Sequence, residues 1–191
     1  MKMLISSRQE HLLFARNFLR HPKMLGSLIP SSTFLVRRLL RQIDWARAKV
    51  VVEYGPGVGT ITREVLRRMH PDAVLIVFET NPEFVTFLRQ TIPDERLRVV
   101  HGSAAGVMGW IEQGGERPDY VISGIPFSTL PEPTRREILQ TTREVLQPDG
   151  ALLVYQFSPK VLPSLRQTFS TVVRSFEPLN ILPAQLFFCS P

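Results

Sequence analysis

"VVVEYGPGVGT", Val50–Thr60, is the stretch on which the reading of this chain turns. An apolar run ends in a carboxylate, Glu53, and glycines follow at alternate positions, Gly55, Gly57 and Gly59. A strand that breaks into glycines and re-forms as a helix brings backbone against a ligand at the carboxyl end of a sheet. Three ligand classes compete. A triphosphate loop needs a Gly-Lys-Ser/Thr ending, and no lysine lies near this turn. The dinucleotide fingerprint Gly-x-Gly-x-x-Gly misses by one residue, and Glu53 just before the turn repels a pyrophosphate. A cationic ligand without phosphates fits better. Glu79 closes the next apolar run, 20 positions after Gly59, where a carboxylate can accept both hydroxyls of a ribose.

On either side of the turn the pattern is that of an α/β protein. Strands are expected at Val50–Glu53, Ala73–Glu79, residues 97–102, Tyr120–Ser123, Ala151–Phe157, Ser170–Glu177 and Ala184–Cys189. Helices are expected at Thr60–Met69, Pro82–Thr91, Ala104–Gln113, Pro133–Leu146 and Leu162–Phe169. Continuous apolar strands alternating with amphipathic helices give a parallel sheet covered on both faces. No helix separates the last two strands, so one of them runs antiparallel. Before Val50 no strand is expected. Arg8–Arg20 has helical periodicity, with Leu12, Phe14, Ala15, Phe18 and Leu19 on one arc. A second helix runs from Ser31 or Ser32, either of which can cap it, to about Ile43. The expected division is an amphipathic arm or lid over residues 1–45 and a ligand-binding domain over residues 46–191.

Charge is unevenly spread. Residues 1–49 hold ten basic side chains against two acidic ones, +8, so the remainder carries −2 of the net +6. A cationic arm suits a polyanion, either nucleic acid or an anionic membrane surface. No apolar run approaches the roughly 20 residues of a bilayer span, and the start of the sequence reads as no signal peptide. The single cysteine, Cys189, forms no internal disulfide, which fits a reducing interior. No metal-ligand spacing and no Ser-His-Asp set is present.

The turn and the carboxylate after it resemble the class I S-adenosylmethionine-dependent methyltransferases, whose pattern is acid-x-Gly-x-Gly-x-Gly followed by an acidic end to the second strand. The resemblance implies a Rossmann-like sheet of seven strands with an antiparallel last one, and S-adenosylmethionine as cofactor. It places Glu53, Gly55, Gly57, Gly59 and Thr60 at the methionine end and Glu79 and Thr80 at the ribose. "HGSA", His101–Ala104, then lines the adenine through Gly102, Ser103 and Ala104, with Ser103 where the family often has aspartate. Ser123, Gly124 and Ile125 close the pocket beside the methyl group.

The loop "SGIPFSTLP", Ser123–Pro131, is similar to the Asn-Leu-Pro-Tyr type loop of ribosomal RNA adenine dimethylases. Gly124 stands where those enzymes carry an amide or carboxylate for the adenine amine, and the expectation is that no helical RNA-binding domain follows Pro191. A resemblance over nearly the whole chain is to the bacterial phospholipid N-methyltransferases. It is carried by "FLRHPKMLGSLIPSSTFLVRRLL" (Phe18–Leu40), "VVEYGPGVGTIT" (Val51–Thr62), "ISGIPF" (Ile122–Phe127) and "VYQFSP" (Val154–Pro159). It implies methylation of phosphatidylethanolamine towards phosphatidylcholine by a cytoplasmic protein on the inner membrane face, with no nucleic acid or metal required. The alternatives are an RNA adenine methylase or an enzyme for another amino lipid. Ile29, Ser31 and Ser32 are expected over the methionine end. A neutral amine attacking a sulfonium methyl needs positioning above all. Tyr155 and His21 are candidate bases, Phe127, Tyr155 and Phe157 a candidate aromatic wall, and Arg16, Arg20, Lys23 and Lys160 candidate contacts for the lipid phosphate. The Arg8–Arg20 helix is expected on the membrane surface.

Overall fold

The hydrophobic pattern folds as an open seven-stranded sheet, in a computed structural model that describes residues 32–113, 115–180 and 182–191. In chain order the elements are α1 (Thr33–Leu40), β1 (Val50–Tyr54), α2 (Thr60–Arg68), β2 (Val74–Glu79), α3 (Pro82–Thr91) and β3 (Leu97–His101). They continue with α4 (Val107–Glu112), β4 (Tyr120–Ser123), α5 (Glu132–Val145), β5 (Ala151–Gln156), α6 (Leu162–Thr168), β6 (Thr171–Glu177) and β7 (Ala184–Ser190). The strand order is β3-β2-β1-β4-β5-β7-β6. β1 to β5 are parallel to one another, and β7 enters antiparallel between β5 and β6.

Alternation along the central strands divides the core into two layers. Val51, Leu75, Val77, Ile122 and Leu153 face one side, where α1, α2 and α3 supply Leu35, Leu39, Val65 and Leu88. Val50, Val52, Ile76, Val121, Leu152 and Val154 face the other, against Val107, Leu139 and Leu165 of α4, α5 and α6. All five residues of β1 are buried, as expected for the middle of a sheet covered on both faces. The helix expected after Ser31 or Ser32 is capped by Ser32, whose Oγ accepts the Leu35 N–H at 3.2 Å. It ends at Leu40 rather than near Ile43, because the Trp45 Nε1–H takes the Leu40 carbonyl at 3.2 Å and the chain turns. The expected Ala104–Gln113 helix divides into a 3-10 turn, Ala104–Gly106, and the short α4.

The sheet order reverses at β1, whose neighbours β2 and β4 lead away in opposite directions, and ligands of open α/β sheets bind at such a switch point. The glycine turn leaves β1 there. Gly55, Gly57 and Gly59 all have positive φ, at 68°, 57° and 80°. At Gly59 the space is also closed, since a Cβ would lie 2.8 Å from both Ile92 Cδ1 and Leu88 Cδ2. Gly59→Ala is therefore expected to cost about 3 kcal/mol, combining the left-handed penalty with overpacking. Urea melts should show a lower midpoint at unchanged slope.

Candidate active site

Two carboxylates converge on the glycine turn from adjacent strands. Glu53 lies on β1, opposite Val77 of β2 and Ile122 of β4, and is 2% exposed. Its Oε2 accepts the Thr62 hydroxyl at 2.6 Å, from the first turn of α2. Burial pushes the Glu53 carboxyl up to about 7; the Thr62 hydrogen bond opposes the shift and the charge of Glu79 adds to it. Glu79, also buried, ends β2. Its Oε2 accepts the Gly57 N–H at 3.1 Å and its Oε1 the Asn81 N–H at 2.8 Å. Burial raises its pKa too, against those amides, the Thr80 N–H and the nearby His101. The Gly57–Glu79 bond holds the turn of β1 to the end of β2.

The site continues on both sides. On the β3 side, the Gly102 N–H donates to the Glu79 carbonyl at 3.0 Å, so residues 102–104 border Glu79. Ala104 is buried, while Ser103 is exposed and its Oγ accepts the Ala105 N–H at 3.3 Å. Thr80 is exposed, and its carbonyl contacts His101 Nε2 at 3.2 Å. On the β4 side, the Gly124 N–H donates to the Tyr54 carbonyl at 2.9 Å, drawing the loop after β4 against the glycine turn. A Cβ on Gly55 would stand 3.5 Å from Ile125 Cγ1. Ser123 is fully buried.

Gly124 has a specific steric reason. A Cβ there would lie 2.6 Å from Tyr155 Oη and 3.2 Å from the Gly55 carbonyl. The phenol of β5 thus fills the space that a side chain at 124 would occupy, between the glycine turn and the β4 loop. The buried Gln156 amide fixes the arrangement by donating to the Ile125 carbonyl at 2.6 Å and the Tyr155 carbonyl at 2.8 Å. Lys160 is exposed on the 3-10 turn Pro159–Val161, which touches the turn Phe127–Thr129.

Two expectations change. Phe127 is fully buried in the core layer of α5 and α6, so it supports the β4 loop from beneath and is no wall of the cleft. Of the three aromatics, Tyr155 and Phe157 are partly exposed. Ser32 is not brought to the glycine turn: its Oγ donates to the Leu179 carbonyl at 2.9 Å and its N–H to Asn180 Oδ1 at 2.8 Å. Those partners lie in the loop between β6 and β7, and β7 stands three strands from β1 in the sheet order. His21, Ile29, Ser31, Arg16, Arg20 and Lys23 lie outside the described residues. The sequence reading missed Thr62, Asn81, His101 as a neighbour of Glu79, and Gln156. A threonine nine positions after Glu53, in the helix that the turn starts, was the only available signal. A cleft of ≈ 1210 Å³ lies elsewhere, at the amino ends of β1–β3, lined by Lys49, His70, Arg89 and Trp110. It is at the wrong end of the sheet to meet the turn.

The donor set fits S-adenosylmethionine. Two buried carboxylates at a glycine turn favour a cation and disfavour phosphates, and Glu79 ends β2 bonded to that turn. A methyltransferase domain family matches residues 51–150. The ornithine lipid N-methyltransferase of Singulisphaera acidiphila is 35% identical over 184 residues, 95% of this chain and 96% of that protein. Ribosomal RNA small subunit methyltransferase A of Laribacter hongkongensis is 28% identical over 56% of this chain and 39% of its own length. The glycopeptide N-methyltransferase MtfA, solved with S-adenosyl-L-homocysteine, superposes with a TM-score of 0.63 at 14% identity, over 82% of this chain and 88% of that one. With the turn, the strand order and these likenesses in agreement, this chain belongs to the class I S-adenosylmethionine-dependent methyltransferases, and S-adenosylmethionine is its methyl donor.

Proposed function

We propose that this methyltransferase acts on the primary amine of a membrane amino lipid. The observation that carries the reading is the Gly124–Tyr155 contact. A loop that takes an adenine amine offers an amide or carboxylate from this position, and here the space belongs to a phenol. The full-length likeness to an ornithine lipid N-methyltransferase supports the same choice, whereas the likeness to the ribosomal RNA enzyme covers well under half of that protein. An ornithine-type headgroup is the first candidate acceptor and phosphatidylethanolamine the second, since both present a primary amine on a short arm.

In this reading Glu79 takes the ribose hydroxyls and Thr80, Gly102, Ser103 and Ala104 border the adenine. Gly55, Gly57, Gly59 and Thr60 give backbone to the methionine end, near the charge of Glu53. Ser123, Gly124 and Ile125 line the transfer position. The bound cofactor supplies an electrophilic methyl group. The protein's part is to hold a neutral amine in line with it, and Tyr155 Oη accepts one amine N–H so that the lone pair points at the methyl. The displaced amine proton leaves to water at the open side. Tyr155 and Phe157 present ring faces to the alkylammonium product. Lys160 on the rim meets the lipid's anionic group, and the protein works on the inner face of the membrane.

The test gives the purified protein labelled S-adenosylmethionine with one of three acceptors: ornithine lipid vesicles, phosphatidylethanolamine vesicles or structured RNA. Label should enter a lipid extract. Tyr155→Phe should lower kcat about tenfold, the worth of one hydrogen bond, with cofactor affinity unchanged. Label in RNA alone, or cofactor binding without transfer to any lipid, overturns the proposal.

A further inference from the structure

One corner at the carboxyl edge of the sheet turns its polar groups inward and its apolar ones outward. Phe34, Leu179 and Leu182 are 52%, 60% and 39% exposed. They surround the junction where Ser32 binds the loop between β6 and β7. The polar side chains of that loop are buried and committed. Asn180 accepts the Ser32 N–H and donates to the Leu182 carbonyl at 2.9 Å. Glu177 accepts the Leu179 N–H at 2.8 Å and pairs with Arg38 at 3.6 Å. A loop built for water does the reverse, and three large apolar groups at one junction exceed the usual scatter of single exposed ones.

The flank of this corner is cationic. Phe34, Arg37 and Arg38 of α1 and Arg41, which caps its carboxyl end, form an exposed stripe, while Leu35, Val36, Leu39 and Leu40 form the buried one. Residues 32–43 and 170–191 together hold Arg37, Arg38, Arg41 and Arg174 against a single acid, the buried Glu177. At 1.5 Å per residue, Arg37 and Arg38 lie about 5 Å behind Phe34 and Arg41 about 10 Å behind it. If the apolar tip enters the acyl boundary, the arginines reach the depth of the lipid phosphates. Two strand spacings, about 10 Å, separate β6 from β5 and Tyr155.

We propose that this corner, the amino end of α1 with the β6–β7 loop, docks the protein on an anionic lipid surface. The proposal deepens the reading of a lipid acceptor and rests on it for its purpose, though docking is measured without turnover. The full chain is tested for co-sedimentation with phosphatidylglycerol-rich vesicles and with phosphatidylcholine vesicles. Phe34→Ser, Leu179→Ser and Leu182→Ser combined should weaken partition into the first at least about tenfold. Arg37→Glu with Arg41→Glu should cost about fivefold per charge and flatten the salt dependence. S-adenosylhomocysteine affinity, which reports an intact fold, should stay unchanged in both, as should methyl transfer to detergent-dispersed amino lipid. Unchanged vesicle binding in both variants overturns the proposal. So does a fall in oligomer size by light scattering with vesicle binding preserved, which would make the corner a contact between copies. Patch-dependent vesicle binding with no methylation of any lipid upholds docking and removes the acceptor reading instead.

Discussion

Glu79→Ala is expected to weaken binding of S-adenosylhomocysteine by a hundredfold or more, measured by calorimetry. Two hydrogen bonds from ribose hydroxyls to a carboxylate are worth about 1.5–3 kcal/mol each, so losing both alone reaches about that figure. A second contribution comes from the turn. Glu79 anchors the Gly57 and Asn81 amides, and the alanine variant releases both from the end of β2. Glu79→Gln separates the two effects, since an amide oxygen can still accept from Gly57 while one acceptor is lost; an intermediate affinity is expected. A 2′-deoxy analogue makes the assignment sharper. It should bind the parent protein more weakly than S-adenosylhomocysteine does, while Glu79→Ala should bind the two alike, because the hydroxyl it lacks no longer has a partner there. A full further loss from the analogue in the variant would show that the ribose sits elsewhere.

The part of this site that was legible in the sequence is the part made by residues close together in the chain. Val50–Val52 and Leu75–Phe78 announce buried parallel strands, and the glycines with Glu53 and Glu79 announce the ligand class. A missing helix between the last two strands announces the antiparallel end. It does not reveal that β7 inserts between β5 and β6, because sequence order carries no register. Phe127 was misread for a similar reason: an aromatic after Pro126 can aim into the cleft or into the core, and the 3-10 turn it begins aims it at the core. Ser32 was legible as a cap through its local bond to Leu35, but its tether to Asn180 crosses 148 positions. The Tyr155 phenol over Gly124 is likewise a contact between strands. The glycine reads as an absence until the structure shows what fills the space.

Glu53→Gln is expected to stabilise the protein by about 3 kcal/mol at pH 8 and to change little at pH 4.5. The folded Glu53 titrates near 7, above its ordinary value of 4.5, chiefly because β1 removes it from water between β2 and β4. The folded state therefore keeps a proton that the unfolded chain has already released. Stability from this group is full below about pH 4.5, falls as pH rises towards 7 and is flat above it. About 2.5 pH units at 1.36 kcal/mol each give the magnitude. Glutamine keeps the shape and can accept the Thr62 hydroxyl without titrating. Glu79 is shifted in the same direction by its own burial and is present in parent and variant alike, so their difference reports Glu53 together with its coupling to Glu79. The same proton links to cofactor binding. A cation beside Glu53 favours its ionised form, so the parent should release up to one proton on binding below pH 7. Its affinity should climb by up to about tenfold per pH unit until 7 and then level. Calorimetry in two buffers of different ionisation enthalpy reads the proton directly. Glu53→Gln should bind more weakly at pH 8 and lose both the proton release and the slope. An unchanged slope in the variant would assign the titration to another group, and a turn that binds its cofactor independently of pH would remove Glu53 from the cofactor site.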